Sequence, residues 1–305
     1  MKQPLTGIIP PMLTPLKDRD TLDEAGLERL IEHILAGGVH GLFILGTTGE
    51  GPSLSYRLRR ELIERSCQLV RQRVPVLVGI TDTAFVESVQ LARHSAEVGA
   101  DAVVLAPPYY MPEGQPELRE YLDHLLPELP LPLFLYNMPP LTKVPFEMET
   151  VRWAIDRPSI VGMKDSSGSM SYFNQLVTLR RQRPEWTVLV GPEELLAESV
   201  LMGGDGGVNG GANFFPKLYV ALYEAARIGD LPRARELQRR VQQVVARIYR
   251  VGKHPSAVVK GIKCAAACLG LCGDFMAEPF HKFRAPERQK IEQAMEELKS
   301  VAECV

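Results

Sequence analysis

Short, almost continuously apolar runs alternate with stretches of helical periodicity from the N-terminus to about residue 230. The runs are GIIPPML (7–13), GLFIL (41–45), VPVLVGI (74–80), AVVLA (102–106), LPLFLY (131–136), IVGM (160–163), TVLV (187–190) and GGVNG (206–210). Brief runs without polar alternation are what strands buried on both faces of a parallel sheet require. Between them, residues 24–38 place apolar side chains at i, i+3, i+4 and i+7 and stop at paired glycines. Residues 55–70 follow Pro52-Ser53, where Ser53 can cap a helix start, and residues 84–100 end on glycine, a favoured stop. Eight strand-plus-helix units at roughly 30 residues each match the (β/α)8 barrel of about 250 residues. A doubly wound sheet is the rival, but GIIPPMLTP after the first run lacks its glycine fingerprint. Beyond residue 230 the strand signal stops, and 230–252, 255–273 and 286–305 read as three helices. The expected division is a (β/α)8 TIM barrel over 1–230 and a helical extension over 231–305 packed on it.

Composition narrows the function classes. The 305 residues are 45% apolar and 24% charged with a net charge of −2, the balance of a globular chain with ample core material. No basic excess is available to neutralise nucleic-acid phosphates, and no polybasic cluster flanks an apolar anchor. The opening MKQPLTGIIPPMLTP is too rich in proline for a signal peptide, and no run approaches the ~20 apolar residues of a membrane span. The cytoplasm is the expected address. Five cysteines stand at 67, 264, 268, 272 and 304. Cys264, Cys268 and Cys272 recur every four residues, so a helix would align them on one face. Their small apolar neighbours favour packing over a metal or redox role.

The C-terminal ends of barrel strands, where such enzymes build their sites, carry the chemistry. Strand two runs into GTTGEG (46–51), strand four into PPYY (107–110), strand five into YNMP (136–139) and strand six into KDSSG (164–168). Strand seven ends at Gly191-Pro192-Glu193-Glu194 and strand eight runs into Val208-Asn209-Gly210. Lys164, directly after a buried run, is the most telling. An ordinary lysine there would snorkel to solvent. A desolvated one has a lowered pKa, and its neutral amine can attack a carbonyl to form an imine. Tyr136 ends the adjacent strand, where its phenol can shuttle protons or merely plug the barrel top. The small residues and threonine hydroxyls of 46–51 suit a carboxylate. The glycines of 203–211 suit a carboxylate or a phosphate equally.

Four of these motifs in this order (GTTGE, PPYY, YNMP and GMKDSSG) make the chain resemble the dihydrodipicolinate synthase / N-acetylneuraminate lyase family. The similarity spans almost the whole chain, including VKGIKCAAACLG (259–270). The resemblance implies a class I, Schiff-base-forming lyase acting on pyruvate or another 2-oxo acid, with no metal or organic cofactor. It implies Lys164 as the imine lysine and Tyr136 as the proton relay above it. Thr47 would link Tyr136 to a second tyrosine, Tyr110, contributed by a neighbouring subunit of a homotetramer built as a dimer of dimers. Thr48, helped by the backbone near Val208, would hold the 2-oxo acid carboxylate.

The second substrate is less clearly written. Where the synthases of the family carry an arginine five residues after the strand-five tyrosine, this chain has Leu141, which cannot replace a bidentate guanidinium. Lys143 stands two residues on. Glu193 and Glu194 after Gly191 sit where sialic acid lyases place acidic residues against sugar hydroxyls, and Gly191 and Asn209 are further candidate substrate contacts, yet NGGAN (209–213) lacks the serine-threonine pair of those lyases. The leading expectation is an enzyme that cleaves, condenses or dehydrates a 2-keto-3-deoxy sugar acid. A dihydrodipicolinate synthase condensing pyruvate with aspartate semialdehyde is the alternative. A non-catalytic 2-oxo acid-binding regulator and an unrelated phosphate-handling barrel are the readings of other classes.

Overall fold

The computed structural model describes residues 4–303. Among these, eight strands form one parallel sheet: β1 (Gly7–Ile8), β4 (Leu42–Ile44), β5 (Val76–Gly79), β6 (Ala102–Leu105), β7 (Leu133–Asn137), β8 (Ile160–Asp165), β9 (Thr187–Val190) and β10 (Gly206–Gly207). Their order, β1-β10-β9-β8-β7-β6-β5-β4, follows the chain around a (β/α)8 barrel. The last gap closes between the segment after β1 and β4. Met12 donates its N–H to the Phe43 carbonyl at 2.8 Å, and Phe43 donates its own to Pro10 at 3.0 Å. The first apolar run is thus a strand shared between two neighbours. Pro10 and Pro11 lack N–H groups, which thins its ladder to two paired residues and a bridge.

Two further strands, β2 (Leu16–Asp18) and β3 (Thr21–Leu22), make a small antiparallel hairpin that the run pattern does not reveal. They are too short, and too charged at Lys17–Asp20, to register as apolar runs.

Side chains from alternate strand positions separate two cores. Leu5, Ile9, Phe43, Leu77, Val104, Phe134, Val161, Leu189 and Val208 fill the barrel interior. Leu27, Leu30, Leu58, Leu62, Val89, Leu118, Leu122, Val151 and Leu176 belong to the larger layer between sheet and helices. Strands covered on both sides in this way need no polar face, which is why their sequences run apolar throughout.

The helices Glu24–Ala36, Tyr56–Val70 and Phe85–Glu97 fall where their periodicity put them. The second is capped by Ser55, whose hydroxyl accepts the Leu58 N–H at 3.2 Å. Ser53 instead ends a 3₁₀ turn over Gly51–Ser53. After residue 230 come helices Leu231–Val244, Ala257–Cys268 and Ala285–Glu303, the first running on into a π-helical turn at Val245–Tyr249. They lie against the barrel: Gln238 donates to the Glu193 carbonyl at 2.9 Å, and Ala277 donates its N–H to the Glu50 carboxylate at 2.8 Å.

The cysteine stripe is only partly as expected. The helix ends at Cys268, so Cys272 lies beyond it. Cys264 and Cys272 are buried and Cys268 half-buried, all as free thiols, while Cys304 lies outside the described residues. Among the described residues no cluster of His, Cys, Asp and Glu is arranged to hold a metal ion, and no helix is long and apolar enough to cross a membrane.

Candidate active site

Strand β8 extends two residues beyond its apolar run, so Lys164 lies inside the ladder and pairs in register with Tyr136 of β7. Paired positions on neighbouring parallel strands face the same way, and here both face the barrel interior. The Lys164 Nζ stands 4.1 Å from the centre of the Tyr136 ring and 5.1 Å from that of Phe43. Burial in this aromatic box pushes the Lys164 pKa down. Its contact with the Tyr136 hydroxyl works the other way but is the smaller effect. The result is a lysine shifted toward the neutral amine that attacks a carbonyl carbon.

The loop after β4 faces this pair. The Thr47 hydroxyl lies 3.3 Å from the Tyr136 hydroxyl, a proton path from strand five to the loop of strand two. The loop is held in a tight conformation with Leu45 and Glu50 at φ of 58° and 55°, in the left-handed region that costs a non-glycine residue energy. The Thr14 hydroxyl donates to the Gly49 carbonyl at 2.6 Å and steadies it from the first strand's loop. Among the described residues, the N–H groups of Thr47, Thr48 and Gly49 donate to no backbone carbonyl. Consecutive amides free of internal partners form a cradle for an anion such as a carboxylate.

A cavity of about 220 Å³ opens beside Tyr136 and Thr47. Thr81, Ala106, Tyr109, Met138, Leu141 and Thr142 form much of its wall, and none of the described residues lining it carries a charge. Leu141 sits half-exposed in the short helix Pro139–Thr142 that follows β7. Lys143 follows in a left-handed conformation (φ 65°), donates its Nζ to the Pro140 carbonyl at 2.6 Å, and does not line the cavity.

Tyr110, expected to reach Thr47 from a neighbouring subunit, does not meet it within one chain. It is 92% exposed at φ 85°, beside a second hollow lined by Thr83, Tyr109, Met111 and Glu113. Val208 contributes its side chain to the barrel interior near Tyr136, but its N–H is committed to Val190 at 2.8 Å and is not available to a substrate. Gly191 serves packing: a Cβ there would come within 1.9 Å of the Ser166 hydroxyl.

Glu193 turns into the helical layer. Tyr249 donates its hydroxyl to the carboxylate, and Gly211 its N–H, at 3.1 Å to the nearer oxygen. Burial pushes this carboxyl up to about 7, partly offset by those donors. It is a structural acid rather than a sugar contact. Asn209 is likewise wholly buried, donating to the Gly191 carbonyl at 3.1 Å. Both were placed by sequence at a strand end, but Glu193 turns to Tyr249 and Gln238 of the C-terminal extension, and Asn209 is held against the neighbouring strand end at Gly191.

Two features escaped the sequence reading. Phe43, an inward position of an apolar strand, looks like any core residue until the fold sets it beside Lys164. Asn137 and Asp165, next in sequence to Tyr136 and Lys164, face outward and clamp the two strand ends. Asn137 Nδ2 donates to Asp165 Oδ1 at 2.8 Å, Phe146 N–H donates to Asn137 Oδ1 at 3.0 Å, and Ser167 Oγ donates to Asp165 Oδ2 at 2.9 Å. Their adjacency within YNMP and KDSSG was the available signal.

The model of the dihydrodipicolinate synthetase family matches residues 4–298. The chain belongs to that family. Proteins similar to it are named lyases, aldolases and synthases, and this member is a carbon–carbon or carbon–oxygen lyase. It is 56% identical to the dihydrodipicolinate synthase of the commensal bacterium Bacteroides thetaiotaomicron, whose structure superposes with a TM-score of 0.95 over 97% of this chain and 100% of that one. YagE of Escherichia coli K12, solved in complex with pyruvate, is 31% identical with a TM-score of 0.91 over 97% of this chain and 99% of its own. The probable 2-dehydro-3-deoxy-D-pentonate aldolase YjhH of the same organism is 36% identical over 87% of this chain and 88% of its own length.

Proposed function

We propose that this family member is a class I aldolase that cleaves, or in reverse forms, a 2-keto-3-deoxy sugar acid through an imine on Lys164. The observation that carries the choice of substrate is the uncharged cavity wall, with Leu141 and a self-bonded Lys143 where a charged acceptor would need a cation. A hydroxyaldehyde needs hydroxyl partners and apolar surface, both of which that wall offers.

In this reading the neutral Lys164 amine attacks C2 of the 2-oxo acid, Tyr136 gives its phenolic proton to the departing hydroxide, and loss of water leaves the protonated imine beside a phenolate. The substrate carboxylate lies on the amides and hydroxyl of Thr48. Tyr136 takes the proton from the C4 hydroxyl, the C3–C4 bond breaks, and its electron pair passes to the imine nitrogen as an enamine. The aldehyde departs, C3 takes a proton, and water returns pyruvate and the free amine. The protonated imine is itself the electron sink, so the proposal needs no metal or organic cofactor. Thr47 passes the proton between Tyr136 and Tyr110 of a neighbouring copy. The near-complete exposure and left-handed backbone of Tyr110 support its projection toward another subunit. A homotetramer in the cytoplasm completes the proposal.

The similarity to a protein described as a dihydrodipicolinate synthase favours a second reading, in which aspartate semialdehyde is the acceptor. Parallel condensation assays of pyruvate with glycolaldehyde, glyceraldehyde and aspartate semialdehyde separate the two. The proposal expects kcat/KM at least about a hundredfold higher for a hydroxyaldehyde, since a carboxylate left unpaired on an apolar wall costs several kcal/mol. It also expects Leu141→Arg to narrow that gap. A preference for aspartate semialdehyde in the parent protein would overturn it.

A further inference from the structure

The described residues include two buried lysines, Lys164 and Lys263. Lys263 lies in the helix Ala257–Cys268, within the 259–270 stretch, and has no part in the imine chemistry above. Its Nζ is fully enclosed and donates to Oε1 of Glu50 at 2.5 Å, while Ala277 N–H donates to Oε2 of the same carboxylate at 2.8 Å. Glu50 closes the loop that presents Thr47 and Thr48: its N–H donates to the Thr47 carbonyl at 3.1 Å. Its left-handed backbone is a conformation that must be held from outside the loop. The two groups that hold its side chain both come from the helical extension.

We propose that the Glu50–Lys263 pair is a positioning device, through which the C-terminal extension fixes the 46–51 loop so that Thr48 meets the substrate carboxylate and Thr47 meets Tyr136. The inference rests on the imine reading of Lys164 and deepens it. A buried ion pair is a poor source of stability, because two desolvated charges can be replaced by neutral groups of like shape at little cost in folding. It is a precise source of geometry, since both carboxylate oxygens are directed by separate donors. Displacement of a binding loop by about 1 Å can cost a hundredfold in rate.

The test separates folding from positioning. In Glu50→Gln/Lys263→Met both charges are removed and the glutamine oxygen still accepts the Ala277 N–H, whereas either single change leaves one buried charge without its counter-charge. Pyruvate is titrated against each protein in the presence of borohydride, and reduced adduct on Lys164 is quantified by mass spectrometry beside thermal unfolding. An adduct on Lys164 of the parent protein establishes the imine independently. The pair's role is then read from the pyruvate concentration giving half-maximal trapping. The expected result is a double variant that melts within a few degrees of the parent, yet needs at least about tenfold more pyruvate. A folded double variant with the parent's half-saturation would overturn the proposal. So would one that fails to fold, since the pair would then be a requirement of the fold. A parent that forms no adduct on Lys164 would instead remove the reading on which the inference rests.

Discussion

Glu193→Gln should flatten the pH dependence of stability. The Glu193 carboxyl is enclosed between the turn after β10 and the C-terminal helices, and burial raises its pKa from the usual 4.5 to about 7. With the folded-state pKa raised, the native protein keeps a proton that the unfolded chain has released. The unfolded state therefore binds fewer protons across this window, and stability falls as pH rises. The contribution is complete below the unfolded pKa and gone once pH has passed the folded one. Taking 4.5 and about 7 as the two values, the change from about pH 5 to about pH 8 removes about 2.5 kcal/mol.

Glutamine keeps an oxygen for the Tyr249 hydroxyl and cannot ionise. Urea and thermal unfolding of parent and variant at those two pH values, at one protein concentration and ionic strength, give the difference between the two declines. The parent should lose about 2.5 kcal/mol more than the variant, or about 5 °C more in Tm for a chain of this size. Equal declines, or a steeper one in the variant, would refute the claim that this buried acid carries its proton near neutrality.

The remaining predictions concern the site itself. Tyr136→Phe removes the hydroxyl 3.3 Å from Thr47 while keeping the ring beside Lys164; kcat should fall about 10²–10⁴-fold with unchanged circular dichroism, and full activity would end the relay assignment. Asn137→Ala leaves the Phe146 N–H without its acceptor and takes one donor from the buried Asp165. Denaturant unfolding should report a loss of about 2–3 kcal/mol, and a change below about 0.5 kcal/mol would show that the clamp is not needed.

The barrel was legible because the strands' apolar continuity is forced by burial on both faces, and Leu133–Asn137 and Ile160–Asp165 lie within two residues of their sequence bounds at each end. The hairpin Leu16–Leu22 was not, since strands of two and three residues leave no periodic trace. Within the site, Lys164 and Tyr136 stood out as candidates, but each has an ordinary use at a strand end, and only the ordered set GTTGE, PPYY, YNMP and GMKDSSG singled them out together with Thr47. Glu193 and Asn209 show the limit of that reasoning. Position at a strand end does not say whether a side chain faces the mouth or the helices, and for these two the surrounding glycines and tyrosines decided it. Phe43 and Lys263 were hidden for a related reason: their roles come from partners 121 and 213 residues away in sequence (Lys164 and Glu50).

The central claim is that Lys164 forms the imine. Incubating the parent protein with pyruvate, reducing with borohydride and mapping peptides by mass spectrometry tests it directly. The account predicts one stable adduct, on Lys164, that is absent from Lys164→Ala. No mass gain, or an adduct on Lys263 or any other lysine in its place, would contradict it.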